Sequence, residues 1–205
     1  MKLPGSLGCQ QSTIKMLYLG ITLALLVGLG GGLLVGRQTS RFALRDPLTG
    51  LPNKPAFNQE LESLAANTNS AAPPLAILFI DIDQFKQVND SYSHLAGDEV
   101  LRQLGTVLKS ICPVQKIFRW GGDEFTILTT GNRESVQKYA KKIQQAITEL
   151  VTTYQQQSIR ISVSIGLAQQ LPSEDGSKLL SRADQALYQA KNNGRNQICW
   201  SDSTL

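Results

Sequence analysis

The sequence predicts an α+β domain that follows a single membrane-spanning helix. Residues 16–36 carry no charged side chain, and about 20 apolar helical residues suffice to cross the hydrocarbon core of a bilayer. Beyond this run, apolar residues recur with helical and strand periods in the order βαββαβ, with extra helices. This order fits a ferredoxin-like core, in which helices pack against one sheet.

We interpret residues 16–36 as a retained transmembrane helix, after a short N-terminal segment (1–15) and before a linker (37–45). A cleaved signal peptide is the alternative, but its apolar region usually has about 7–15 residues and ends at a small-residue cleavage site. Three arginines follow the run within nine residues, whereas two lysines precede it. The positive-inside rule then predicts a single-pass protein of the cytoplasmic membrane, with the rest of the chain in the cytoplasm.

Small residues recur at every fourth position of the predicted membrane helix: Gly20, Ala24, Gly28, Gly32 and Gly36. In a helix these positions form one slowly drifting stripe. Such stripes allow transmembrane helices to approach closely and to pair. Glycine is also common in membrane helices that do not pair, so both interpretations stay open at this point.

The positive charge of the chain is concentrated before the predicted domain. The whole sequence contains 20 Lys and Arg against 16 Asp and Glu. The first 45 residues contain five basic and no acidic side chains, so the remainder carries a net charge of −1. A domain without excess positive charge has no general attraction for a phosphodiester backbone. We therefore expect no nucleic acid partner.

The first half of the domain, residues 46–205 in our division, is predicted to contain two helices and one buried strand. Apolar residues at a helical period predict a helix over residues 54–66 and another that ends near residue 111. Between them, a continuous apolar run at residues 75–80 follows two prolines. Such a run, bounded by turn residues, predicts a buried strand.

The second half is predicted to contain a hairpin, two helices and two further strands. Strand-like runs on both sides of a glycine pair predict the hairpin over residues 116–130. Helical periodicity predicts helices over residues 136–150 and 179–190. Apolar residues alternate strictly over residues 159–167, which predicts a strand with one buried face. Residues 197–200 are predicted to form a short final strand.

The predicted hairpin turns at Gly121-Gly122, and two carboxylates follow directly. Paired glycines supply the positive φ that tight hairpin turns require. They also allow a phosphate group to approach the backbone closely. A turn does not need Asp123 and Glu124 after its glycines, whereas a site for a metal and a phosphate does.

A second acidic cluster, Asp81-Ile82-Asp83, ends the predicted buried strand. A carboxylate in this position is costly unless a cation pairs with it. Mg²⁺ prefers oxygen ligands, usually one or two carboxylates together with phosphates and water. We therefore predict that Asp81, Asp123 and the backbone carbonyl of Ile82 bind Mg²⁺, with Mn²⁺ as an alternative.

Several sequence blocks resemble the GGDEF domain of the diguanylate cyclase family, in the order that the family shows. Together the blocks span residues 46–200. The blocks are residues 46–53, 79–90, 94–99, 121–125, 162–166, 183–188 and 191–196. The resemblance implies the ferredoxin-like βαββαβ core of the nucleotidyl cyclases.

The resemblance also implies an enzyme that condenses two GTP molecules into cyclic di-GMP and releases two pyrophosphates. Each protomer of a homodimer would present one GTP, and the 3′-hydroxyl of one would attack the α-phosphate of the other. Asp81, Asp123 and the Ile82 carbonyl would hold the metal, and Asp123 or Glu124 would help to deprotonate the hydroxyl. The alternative is a catalytically silent GGDEF domain that binds GTP and regulates a partner.

By the same resemblance, Asn89 and Asp98 match the residues that read the guanine base. An amide and a carboxylate suit the donors and acceptors of the guanine edge. Asp98 is alternatively explained as the N-terminal cap of the helix that follows it. His94 is either a contact of the nucleotide or a packed, hydrogen-bonded histidine.

Lys86, Lys191 and Arg195 match the positions that hold the triphosphate in the family. A lysine acts on phosphate as a point charge and an arginine as a bidentate fork, although solvation alone explains a surface lysine such as Lys86. The family often carries an Arg-x-x-Asp motif for product inhibition, but the corresponding residues 112–115 are uncharged here. We therefore predict no high-affinity product inhibition at residues 112–115.

Overall fold

The computed structural model describes residues 44–66, 73–112 and 116–201. The predicted membrane helix at residues 16–36, with its stripe of small residues, lies outside the described residues. Residues 113–115 also lie outside them; they belong to the uncharged segment 112–115, at which we predict no high-affinity product inhibition. Across the three described ranges, no helix is both long and apolar enough to cross a membrane.

The described residues form five α-helices and seven β-strands. In chain order they are α1 (Lys54–Ala66), β1 (Leu75–Ile82), α2 (Phe85–Tyr92), α3 (His94–Ile111), β2 (Lys116–Gly121), β3 (Glu124–Thr130), α4 (Arg133–Glu149), β4 (Val151–Tyr154), β5 (Gln157–Arg160), β6 (Val163–Gln169), α5 (Gly176–Asn192) and β7 (Ile198–Trp200).

Five strands form one mixed sheet in the order β2-β3-β1-β6-β7. β1 lies in the middle and pairs antiparallel with both β3 and β6. β2 pairs antiparallel with β3, and β7 extends the sheet as a parallel neighbour of β6. The order and directions of β1, β2, β3 and β6 match a ferredoxin-like βαββαβ core, so the predicted α+β fold is confirmed.

Helices cover both faces of this sheet, and β1 contributes to both cores. Its residues Leu78 and Ile80 pack in a core that also contains residues of α3 and α4. Ile77 and Phe79, which point to the opposite face, pack in a core that contains residues of α1 and α5. Because both faces are covered, the end of β1 places Asp81 in the interior, where only 7% of it is exposed.

The segment predicted as one strand over residues 159–167 forms two strands, β5 and β6. β5 pairs with β4 in a separate two-stranded sheet, a hairpin that the sequence analysis missed. The prediction that the segment has one buried face is also wrong, because β6 is buried on both faces. Gly166 permits this: a Cβ there would lie 2.2 Å from the carbonyl oxygen of Ala183 and from the backbone nitrogen of Leu187.

A buried arginine anchors α5 to the loop before it and to the residue that follows β7. Arg182 is 5% exposed. Its Nε and Nη2 donate to the two carboxylate oxygens of Glu174, at 2.7 and 2.6 Å. Nη1 donates to the hydroxyl of Ser201 at 2.8 Å, and Nη2 also donates to the carbonyl of Gln169. The buried guanidinium of Arg182 is therefore paired with a carboxylate and hydrogen-bonded, as a low-dielectric interior requires.

Candidate active site

The two acidic clusters of the sequence meet at one end of the sheet. In the antiparallel pair of β1 and β3, Asp81 lies directly opposite Glu124. Side chains that are opposite each other project from the same face, and like charges in this position are destabilising. The fold therefore keeps two carboxylates together at a point where a cation is needed to balance them.

The turn between β2 and β3 begins one residue later than the sequence predicted. Gly121 is the last residue of β2 and pairs with Glu124, so the two turn residues are Gly122 and Asp123. Gly122 has a φ of +51°, which supplies the left-handed conformation. A Cβ on Gly121 or Gly122 would meet no atom within 4 Å, so the space over the turn is open. The backbone N–H of Ile82 donates to the Asp123 carbonyl at 3.3 Å.

Burial and the repulsion between neighbouring carboxylates raise the pKa values of Asp81 and Glu124. Burial raises the pKa of Asp81 above its ordinary value, and the nearby charges of Asp123 and Asp83 raise it further, against the opposing effect of Lys191. Burial also raises the pKa of Glu124, with Asp81 as the strongest charged contributor. A positive ion in the cluster would relieve both effects.

Lys191, on the last turn of α5, is the cation that the protein itself supplies. Its Nζ lies 2.7 Å from Oδ2 of Asp81. Within the described residues, no three His, Cys, Asp or Glu side chains converge closely enough to hold a metal ion. The available donors around Asp81, Asp123 and Glu124 are nevertheless all oxygens, and their charge is negative. Donors of this kind fit Mg²⁺ or Mn²⁺.

The two residues that follow Asp81, Ile82 and Asp83, have different surroundings from it. Ile82 is 1% exposed and packs in the core with α3 and α4, so its side chain is not available to a ligand. Asp83 is 9% exposed and accepts hydrogen bonds from the hydroxyls of Ser162 and Ser164 and from the backbone N–H of Asn196. Its carboxylate is thus occupied by protein donors.

The two residues matched to guanine recognition lie close together on α2 and α3. A Cβ on Gly97 would lie only 2.0 Å from Oδ1 of Asn89, so the Asn89 amide sits directly over the residue before Asp98. The interpretation of Asp98 as a helix cap is wrong. The cap of α3 is Ser93, whose hydroxyl accepts the N–H of Ala96.

The remaining predicted nucleotide contacts lie on the surface around this site. His94 is the first residue of α3 and is exposed, so the interpretation as a packed histidine is wrong. Lys86 is exposed on α2. Arg195 is exposed in the turn after α5, where its φ is +62°.

Arg119 is a structural residue of the site that the sequence analysis missed. Its Nη1 donates to both carboxylate oxygens of Asp46 at 2.9 Å. Its Nε and Nη2 donate to the carbonyl of Gly122 at 3.1 and 2.7 Å. Burial alone would raise the pKa of Asp46, but hydrogen bonds from Thr49 and Arg119 outweigh burial and lower it. The glycine turn is thereby tied to the beginning of the domain.

Trp120 fixes the strand that leads into the turn. Its ring makes edge-to-face contacts with Phe57 and Phe79, at centroid distances of 5.2 and 5.4 Å. Lys54 Nζ lies 4.0 Å from the centroid of the same ring. Contacts of these kinds stabilise a buried aromatic side chain beyond its hydrophobic burial.

Comparison with known proteins identifies the family of the chain. The profile of the family described as "Diguanylate cyclase, GGDEF domain" matches residues 43–197. Diguanylate cyclase DgcP of Pseudomonas aeruginosa is 36% identical over 158 residues, which are 76% of this chain and 24% of that protein. An uncharacterized membrane protein of Staphylococcus aureus is 36% identical over 161 residues, which are 76% of this chain and 45% of that protein.

The same family appears among solved structures. The GGDEF domain of DgcB from Caulobacter crescentus, crystallised in complex with c-di-GMP, is 31% identical and superposes with a TM-score of 0.74. The match covers 78% of this chain and 97% of that chain. The chain thus spans 24% and 45% of the two sequence relatives, but almost all of the DgcB domain. With a family profile that matches most of its length, the chain belongs to the GGDEF domain family of diguanylate cyclases.

Proposed function

We propose that this chain is an active diguanylate cyclase, which condenses two GTP molecules into cyclic di-GMP and two pyrophosphates. One observation carries the proposal: Asp81 lies opposite Glu124 at the end of β1, and Asp123 precedes Glu124 in an open glycine turn. Phosphoryl-transfer chemistry of this kind consists mainly of positioning and charge neutralisation. A cluster of carboxylates next to free space over a backbone turn suits both tasks.

Asp81, Asp123 and the backbone carbonyl of Ile82 would hold Mg²⁺ or Mn²⁺. Such an ion supplies an activated attacking oxygen and charge stabilisation for the leaving group. The oxygen donors support this assignment, and so do the neighbouring carboxylates, which together with burial raise the pKa of Asp81 and favour a cation beside it. Asp123 or Glu124 would take the proton of the attacking 3′-hydroxyl.

The nucleotide would lie between the acidic cluster and α2–α3. Asn89 and Asp98 would read the guanine base, with His94 at the edge of the same region. The residues that would bind the triphosphate are Lys86, Lys191 and Arg195. Lys191, which pairs with Asp81 in the structure, would contact a phosphate oxygen if a bound metal ion neutralised that carboxylate.

Each chain would bind one guanine base, whereas the reaction uses two GTP molecules, so a second protomer is required. A homodimer then places two GTP molecules face to face across the two acidic clusters. We propose that residues 16–36 anchor each protomer in the cytoplasmic membrane, that residues 37–45 link the anchor to the domain, and that residues 46–205 form the cytoplasmic catalytic unit. GTP is available on that side of the membrane.

The direct test is to identify the product made by the full-length chain in lipid nanodiscs with GTP and Mg²⁺. We expect mass spectrometry to detect cyclic di-GMP, and to detect none with the Asp123→Ala, Glu124→Ala variant. Bound GTP without product would support a silent regulatory domain instead. Absence of GTP binding would reject the nucleotide assignment altogether.

Replacing Gly97 with alanine is expected to weaken GTP binding by about tenfold. The added Cβ would lie 2.0 Å from Oδ1 of Asn89 and would displace the amide that reads guanine. Loss of one hydrogen-bonded contact to a substrate costs about 1–1.5 kcal/mol, or about tenfold in affinity. Alanine is a better helix former than glycine, so the loss should appear in the Kd of a non-reactive GTP analogue and not in the melting temperature.

The matched control is Asn89→Ala, alone and together with Gly97→Ala. If Gly97 acts through Asn89, the double variant should bind the analogue no more weakly than Asn89→Ala alone. Losses that add in the double variant would contradict this explanation.

A further inference from the structure

We propose that Asp83 is a positioning residue, which holds the turn after α5 so that Arg195 is aimed at the triphosphate. The inference rests on the proposed function, because it concerns the same nucleotide site. It assigns to Asp83 a task distinct from metal binding, although Asp83 lies only two residues after Asp81 on the same strand end.

The contacts of the Asp83 carboxylate show what it binds. Oδ2 accepts the Ser162 hydroxyl at 2.6 Å and the backbone N–H of Asn196 at 3.0 Å. Oδ1 accepts the Ser164 hydroxyl at 2.6 Å. The backbone N–H of Asp83 also donates to the Ser162 carbonyl at 2.9 Å. With three donors on a buried carboxylate, Asp83 is committed to the protein and connects β6 to the turn after α5.

That turn has an unfavourable backbone conformation. Gly194, Arg195 and Asn196 have φ values of +108°, +62° and +47°. Residues with a Cβ avoid the left-handed region, and two in succession persist only where the surroundings determine the conformation. The Arg195 N–H donates to the Ala190 carbonyl at 3.0 Å, which fixes the near side of the turn. The hydrogen bond from Asn196 to Asp83 fixes the far side.

The strained turn lies next to proposed contacts of the triphosphate. Lys191 and Arg195 lie four residues apart at the end of α5, and Lys191 already reaches Asp81. Asp81 and Asp83 therefore connect one strand end to two of the three proposed triphosphate contacts. The guanine-binding pair lies on other elements, α2 and α3. Loss of the Asp83 carboxylate should consequently weaken binding of the triphosphate and leave recognition of the guanine base unchanged.

The test compares two ligands, a non-reactive α,β-methylene analogue of GTP and GMP, by calorimetry on the full-length chain with Mg²⁺. We expect Asp83→Ala to weaken binding of the analogue by about tenfold or more, as loss of a charge-assisted contact does. Binding of GMP should change less than about twofold. Arg195→Ala should give the same pattern, and the double variant should lose no more than either single variant.

Hydrogen exchange provides a readout that needs no nucleotide: the Asn196 amide should exchange faster in Asp83→Ala than in the parent. If Asp83→Ala does not fold, Asp83→Asn keeps one acceptor and should show the same pattern with a smaller change. Equal losses for the analogue and GMP, or losses that add to those of Arg195→Ala, would overturn the positioning role alone. A parent chain that binds neither ligand would overturn the proposed function, and the inference with it.

Discussion

Replacing Asp81 with asparagine is expected to lower the rate of cyclic di-GMP formation by about 10³-fold. The substitution keeps the shape of the side chain and removes the charge of a proposed metal ligand. A metal ion contributes several kcal/mol of charge stabilisation in such reactions, and about 4 kcal/mol corresponds to 10³-fold in rate. Initial rates measured across a titration of Mg²⁺ should show the loss at every metal concentration.

The fold should not be weakened by this change. Because burial and neighbouring carboxylates raise the pKa of Asp81, its surroundings disfavour the charged form in the absence of metal. The metal-free Asp81→Asn protein should therefore melt at or above the temperature of the parent. Glu134→Gln is a suitable control, because it neutralises a carboxylate in the exposed first turn of α4. A rate for Asp81→Asn within tenfold of this control would contradict the metal assignment.

Replacing Arg182 with methionine is expected to lower the free energy of unfolding by about 3–5 kcal/mol. Removing one partner of a buried ion pair leaves the other charge without compensation. Here the remaining charge is Glu174, whose side chain is 7% exposed. The loss also leaves the Ser201 hydroxyl and the Gln169 carbonyl without their donor. Urea unfolding of the variant and the parent measures the difference directly.

The ion pair between Lys116 and Glu60 provides the matched comparison. Its side chains are 46% and 33% exposed, and exposed pairs contribute about 0–1 kcal/mol. Lys116→Met should therefore change the free energy of unfolding by less than about 1 kcal/mol. Adding Glu174→Gln to Arg182→Met should recover part of the loss, because the unpaired charge is removed. Similar small effects of Lys116→Met and Arg182→Met would show that burial does not strengthen the Arg182 pair.

The sequence predicted those elements in which a local pattern has only one structural solution. The apolar run at residues 75–80 had to be buried, and its acidic end pointed to a cation site before any coordinates were considered. The glycine pair likewise predicted the β2–β3 hairpin, although the true turn residues are Gly122 and Asp123.

The missed hairpin of β4 and β5 shows where local pattern fails. Its turn residues, Gln155 and Gln156, have φ values of +46° and +65°. Glycine, asparagine and aspartate are the residues that usually occupy such positions, so two glutamines gave no turn signal. Ser93 is similar: with a φ of +122°, it separates α2 from α3 without the glycine that would have marked the break.

The supporting contacts of the site were beyond sequence analysis for a different reason. The hydroxyls of Ser162 and Ser164 donate to Asp83 from 79 and 81 residues away. Arg119 and Asp46 are separated by 73 positions. No local period encodes such pairs, since they form only when the sheet is assembled. The acidic residues proposed to bind the metal and to act in catalysis stand out in the sequence, whereas the residues that hold them in place do not.

The double contact of Arg119 has a consequence for how an input module could control this domain. One guanidinium holds both the carboxylate of Asp46 and the carbonyl of Gly122, so we expect rotation of the chain where it enters the domain to shift the glycine turn. An upstream module would need no contact with the nucleotide to change the reaction rate. Arg119 is the side chain through which such a signal is expected to reach the turn.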